Sequence, residues 1–240
     1  MSGKRLVVYD DAAALARAAA DIFVESFHAA LREKGFFTAV LSGGGTPLEL
    51  YMLLASPEYS GKIDWASTHL LWGDERCVPP EDDQSNFESA WEALVSKVDI
   101  PRQNIHRIKG ELPPQQAASE YEGEIRSLLG IAPDELPSFD LVLLGLGADG
   151  HTLSIFPDTD AHRNPHGLVM ANYVPKLKAW RVTMTPDAIS LARKTLFLAA
   201  GSAKALALKG MLKGDYPAGA VTGEDVLVFA DNEAAEFNEE

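Results

Sequence analysis

Hydrophobic and polar positions follow two periods along this chain. Short apolar runs bounded by Gly, Pro or Asp read as buried strands at residues 6–9, 36–41, 68–72, 139–144, 168–172, 180–184, 195–199 and 226–229, with a further short one at 105–108. Between them apolar residues recur at helical spacing. Leu15, Ala19, Ile22, Phe23, Ala30 and Leu31 give residues 12–34 one buried face, with Asp10 or Asp11 as N-cap and Gly35 as the stop. Further helices are predicted over 48–54, with Pro47 at the first helical position, and over 87–95, 115–129, 188–192 and from Gly201 through Met211. The stretch 157–167, rich in Asp, Asn and Pro, reads as flexible, and the acidic tail from about 231 as frayed.

Strands that alternate with helical segments predict an α/β fold: a doubly wound, mostly parallel sheet with helices on both faces, Rossmann-like in outline. No internal repeat, low-complexity tract or linker interrupts it, so residues 1–240 are expected to form a single domain.

Composition narrows the partners. With 21 Lys+Arg against 35 Asp+Glu, the net charge of −14 argues against nucleic acid or an anionic membrane. An anionic substrate would need basic residues concentrated at its site. The single cysteine, Cys77, excludes an intrachain disulfide framework. No apolar run approaches a membrane span, and the start, MSGKRLVVYDD, lacks the apolar core of a signal peptide. A soluble, cytoplasmic protein, monomer or weak homodimer, is expected.

Chemistry-bearing residues cluster where strands end. The run 139–144 leads into Gly145-Leu146-Gly147-Ala148-Asp149-Gly150-His151-Thr152. Ligands of open α/β sheets gather at carboxyl ends of strands, where Asp149 and His151 can share a pocket as orienter and proton acceptor. Gly145-x-Gly147-x-x-Gly150 matches the dinucleotide fingerprint in letters only. No acid follows around residues 169–172, and Asp149 would repel a pyrophosphate. Metal is not expected either, since no H-E-x-x-H or Cys/His cluster accompanies the pair, and His162 and His166 look like loop residues. A second turn, Ser42-Gly43-Gly44-Gly45-Thr46-Pro47, joins a strand to a helix N-terminus, the recipe for a phosphate site. No Gly-Lys-Ser/Thr follows, so it is not a Walker loop. The strand 68–72 closes with Gly73-Asp74-Glu75-Arg76, whose arginine suits an anion. Lys204, in the first turn of a helix, defies the dipole preference for acids and points to a nearby anion.

In order along the chain, SGGGTP at 42–47, GDER at 73–76 with DQSNF at 83–87, and GLGADGHTLSIFP at 145–157 are signature blocks. Arg181-Val182-Thr183 and the segment 201–204 add two weaker ones. On these the chain resembles the 6-phosphogluconolactonases of the glucosamine-6-phosphate isomerase/6-phosphogluconolactonase superfamily. The resemblance implies hydrolysis of 6-phospho-D-glucono-1,5-lactone, a sugar-phosphate lactone, to 6-phosphogluconate, with no metal or nucleotide cofactor. It implies His151 as base, Asp149 orienting it or the water, and a phosphate held by Ser42, Gly43, Gly44, Gly45 and Thr46 with Arg181 and Lys204. Arg76 is left between the lactone oxygens, the tetrahedral intermediate and the phosphate.

Two alternatives accompany this. Glucosamine-6-phosphate deaminases share the Gly-rich turn and the GxGxDGH loop, but carry an Asn-Glu-Pro segment after the histidine and Asp-Glu-Tyr at the second block. Here Ser154-Ile155-Phe156-Pro157 and Asp74-Glu75-Arg76 stand in those places. A noncatalytic sugar-phosphate sensor would keep Arg181 and Lys204 yet could lose the histidine, which is present.

Overall fold

The first helix shows how local signals set the frame. Asp11 accepts the Ala14 N–H at 2.8 Å, Gly35 closes the other end in the left-handed conformation (φ 82), and Leu15, Ala19, Phe23, Phe27 and Ala30 form the buried face between. In the computed structural model, which describes residues 3–236, the elements run β1 (Arg5–Tyr9), α1 (Ala12–Lys34), β2 (Phe37–Leu41), α2 (Gly45–Leu54), β3 (Thr68–Trp72), β4 (Asp74–Arg76), α3 (Asn86–Ala93), β5 (Ile105–His106) and α4 (Pro114–Leu129). They continue as β6 (Leu141–Gly145), α5 (Asp160–Arg163), β7 (Val169–Val174), β8 (Ala179–Met184), α6 (Pro186–Ile189), β9 (Lys194–Ala199), α7 (Ala205–Lys213), β10 (Val226–Asp231) and α8 (Asn232–Ala235).

Seven strands form one sheet in the order β1-β10-β9-β6-β2-β3-β5, and every pairing in it is parallel. All residues of β2 and β10 are buried. Because successive side chains point to opposite faces, both faces are covered, as parallel sheets require. From β2 the chain steps outward to β3 and β5, and from β6 it steps the other way to β9 and β10. The order reverses between β2 and β6, and this is the switch point at which such sheets open a crevice.

Four expectations are corrected. The runs near 168–172 and 180–184 are strands, but not of the parallel sheet. They form β7 and β8, an antiparallel hairpin that pairs with β4 in a separate three-stranded sheet. Pro47 is the third residue of α2, which starts two residues earlier because Gly44 takes a positive φ of 102° and serves as N-cap. The acidic tail does not begin at 231. Asp231 ends β10, caps α8 through Ala234 N–H at 2.8 Å, and accepts the Gly201 N–H at 2.9 Å. The remainder of that tail, 237–240, lies outside the described residues. The flexible-looking stretch 157–167 contains α5, and His162 is part of it.

Candidate active site

Four neighbouring strands, β9, β6, β2 and β3, send the loops at their carboxyl ends to one cavity of about 440 Å³. Every residue singled out from the sequence lines it: Ser42 to Thr46 after β2, Arg76 beyond β3, Asp149 and His151 after β6, Arg181 on β8 and Lys204 after β9. The structure adds Asp74, Asn86, Ser154, Phe156, Lys176 and Leu177, to which no role was given.

Hydrogen bonds fix the floor. Tyr51, fully buried, accepts the Ser42 N–H at 2.9 Å and donates its hydroxyl to the Ser42 carbonyl at 2.7 Å. The Gly145 N–H donates to Ser42 Oγ at 3.2 Å, tying the end of β6 to that of β2. Ser42 is thus occupied with backbone. Past it, α2 opens without a side-chain cap or an acid in its first turn, so its leading amides have no side-chain acceptor of their own.

The histidine turn is shaped to hold one ring. Gly147 N–H donates to the His151 carbonyl at 2.8 Å, and a Cβ added at Gly147 would lie 2.0 Å from His151 Nδ1, so only glycine admits the ring there. The imidazole stacks on Phe156, with centroids 3.9 Å apart and planes 21° from parallel. Nδ1 lies 2.5 Å from Asp149 Oδ1, and Lys176 Nζ lies 2.9 Å from Asp149 Oδ2. Partial burial would raise the Asp149 carboxyl, but the bonds to His151 and Lys176 outweigh it and bring the group down to about 2. An ionised Asp149 only accepts, so Nδ1 carries the ring's hydrogen and Nε2 is left as the free acceptor.

Arg76 and Arg181 are direct partners across β4 and β8. Burial and the charge of Arg76 both lower the Arg181 guanidinium from its ordinary value. Like charges facing one another across a ladder are unfavourable unless an anion joins them. Arg76 donates to the Gln84 carbonyl and Arg181 to the Trp180 carbonyl at 3.0 Å. Neither arginine, nor Lys204, forms an ion pair with a carboxylate among the described residues.

Of the GDER block, Glu75 is a staple. Its buried carboxylate accepts N–H groups from Arg76 (2.7 Å), Asn86 (2.7 Å) and Phe87 (2.8 Å), and the Ser85 hydroxyl at 3.1 Å. Burial pushes its carboxyl up against the pull of those three amides. Asn86, positioned in this way, donates to the Asp74 carbonyl at 2.9 Å, and Ser154 Oγ donates to Asp74 Oδ2 at 2.6 Å. Glu75→Ala would strand several buried donors and is expected to cost about 3 kcal/mol or more in denaturant unfolding, since each unsatisfied group costs about 1–3 kcal/mol.

A histidine–carboxylate pair beside cations with no carboxylate partner among the described residues, in a crevice at the switch point, defines an α/β enzyme for a small anionic substrate. Comparison with known proteins makes this particular: the chain belongs to the glucosamine-6-phosphate isomerases/6-phosphogluconolactonase family, whose sequence model matches residues 10–229. It is 38% identical over 208 residues to 6-phosphogluconolactonase 3, chloroplastic, of Arabidopsis thaliana, covering 82% of this chain and 64% of that protein. A 6-phosphogluconolactonase from a Nostoc species is 36% identical over 206 residues, with 85% and 83% covered. The crystal structure of 6-phosphogluconolactonase from Thermotoga maritima superposes with a TM-score of 0.83 at 33% identity, over 95% of this chain and all (100%) of that one. No helix among the described residues is long and apolar enough to cross a membrane.

Proposed function

We propose that this protein hydrolyses 6-phospho-D-glucono-1,5-lactone to 6-phosphogluconate, the reaction of the oxidative pentose phosphate pathway. One observation carries the reading most: His151 Nε2, freed by the bond from Nδ1 to Asp149, shares a cavity with three cations that have no carboxylate partner among the described residues. The named relatives support it.

His151 Nε2 takes a proton from water as the oxygen attacks the lactone carbonyl carbon, C1. The imidazolium is stabilised by Asp149, which stays ionised. When the tetrahedral intermediate collapses, the bond from C1 to the ring oxygen breaks, and the imidazolium returns its proton to that oxygen. The product is a hydroxy acid that ionises to the carboxylate. We assign the phosphate to Arg181, Lys204 and the amides of Gly44, Gly45 and Thr46, and place Arg76 on the same anion because it faces Arg181.

The direct test is acid release from freshly generated lactone, measured above the spontaneous background. No rate above background would end the reading. Glucosamine 6-phosphate separates the deaminase alternative. The segment after His151 offers Phe156 stacked on the ring rather than an acid, so no ammonia is expected. Enzyme-dependent ammonia together with an inert lactone would reverse the assignment.

A further inference from the structure

The hairpin of β7 and β8 brings one more charge to the reacting centre. Its tip, Pro175–Leu177, is a single 3-10 turn closed by Lys178 in the left-handed conformation (φ 50), whose N–H donates to the Pro175 carbonyl at 3.1 Å. Lys176 and Leu177 both line the cavity from this tip. The Asp149 carboxylate is therefore gripped at both oxygens, by His151 within its own turn and by Lys176 from the second sheet. We propose that Lys176 is a positioning residue for the hydrolysis, holding the Asp149 carboxylate so that His151 keeps its ring plane and its bare Nε2, without itself contacting the substrate. The role rests on the hydrolytic reading of His151.

The geometry favours this over a stabilising role. The Lys176 side chain is 69% exposed, and ion pairs of that kind contribute little to folding. Six ladder pairs and the contact between Tyr173 and Trp180 hold the hairpin without it. Asp149, in contrast, stands on a turn with glycines at 147 and 150, and among the described residues Lys176 supplies the only hydrogen bond to its Oδ2. Freed of Lys176, the carboxylate can rotate and the imidazole with it, and small displacements of a reacting group cost large factors in rate. Lys178, two positions on, carries the same charge on the same turn and does not line the cavity, so it is an internal control.

The experiment compares Lys176→Met, Lys176→Arg and Lys178→Met. It reads kcat and KM on the lactone, the Kd for 6-phosphogluconate, and the Asp149 carboxyl titration by NMR. Lys176→Met is expected to lower kcat about tenfold, in the range of lost outer partners of catalytic groups. KM and product Kd should hold, and the Asp149 carboxyl should rise from about 2. Lys176→Arg should recover most of the rate, and Lys178→Met should behave as wild type. An unchanged kcat in Lys176→Met would overturn the proposal. So would a weaker product Kd with kcat intact, which would make Lys176 a substrate contact. A rate in Lys176→Arg as low as in Lys176→Met would overturn it too. A wild type inert toward the lactone would instead sink the hydrolytic reading itself, and the NMR titration would still report whether Lys176 holds Asp149.

Discussion

His151→Asn is expected to lower kcat by about 10²–10⁴-fold, the contribution of a well-placed general base. The fold should survive, because the ring is partly exposed and contacts Asp149 and Phe156 rather than the main core. Binding of 6-phosphogluconate should also largely persist, since its phosphate is assigned to groups on β8, α2 and the loop after β9. Dependence on pH sharpens the test. With its carboxyl at about 2, Asp149 stays ionised above about pH 3, so an acid limb of kcat/KM at higher pH belongs to another group. Rates of wild type and His151→Asn compared above that pH therefore test the histidine with Asp149 in one fixed, ionised state. Near-normal turnover in the folded variant would remove the histidine from the chemistry and leave Asp149 as the next candidate base.

What was legible in the sequence is what local signals encode. The glycine turns after β2 and β6 announce themselves, because a backbone that must admit a ligand or a ring at close range needs glycine, as Gly147 against His151 illustrates. Parallel strands buried on both faces read as plain apolar runs, so the seven-stranded sheet was largely visible. β7 and β8 look the same in isolation. Their antiparallel pairing turns on a four-residue reversal, Pro175-Lys176-Leu177-Lys178, in which a lysine rather than Asn or Gly takes the left-handed position.

Residues given no role are those whose meaning lies in distant partners. Lys176 reaches Asp149 across 27 positions, and Ser154 reaches Asp74 across 80. Neither contact has a spacing that a motif can carry. Asp231 misled for a related reason. It opens an acidic stretch, yet its own carboxylate is buried and caps both the turn at Gly201 and the start of α8. Charge composition describes a tail well and a single capping residue badly.

Removing the phosphate from the substrate should cost kcat/KM about 10²–10⁴-fold, so unphosphorylated gluconolactone should be a poor substrate. Charge-assisted hydrogen bonds are worth about 1.5–3 kcal/mol each, and two of them account for that range. Arg181→Ala should show a similar loss on the phosphorylated lactone and little on the unphosphorylated one. Its effect on stability should have the opposite sign. In the free protein Arg181 faces Arg76 across the ladder, so deleting one guanidinium relieves like-charge repulsion, and the ligand-free melting temperature should stay level or rise. Saturating 6-phosphogluconate should raise the melting temperature of wild type, because a ligand that binds only the folded state stabilises it. In Arg181→Ala that increment should shrink. Paired melts with and without product, alongside rates on both lactones, decide the assignment. Equal wild-type rates on the two substrates would sink it, as would an Arg181→Ala protein whose product-induced shift matched wild type, because the facing arginines would then hold no phosphate.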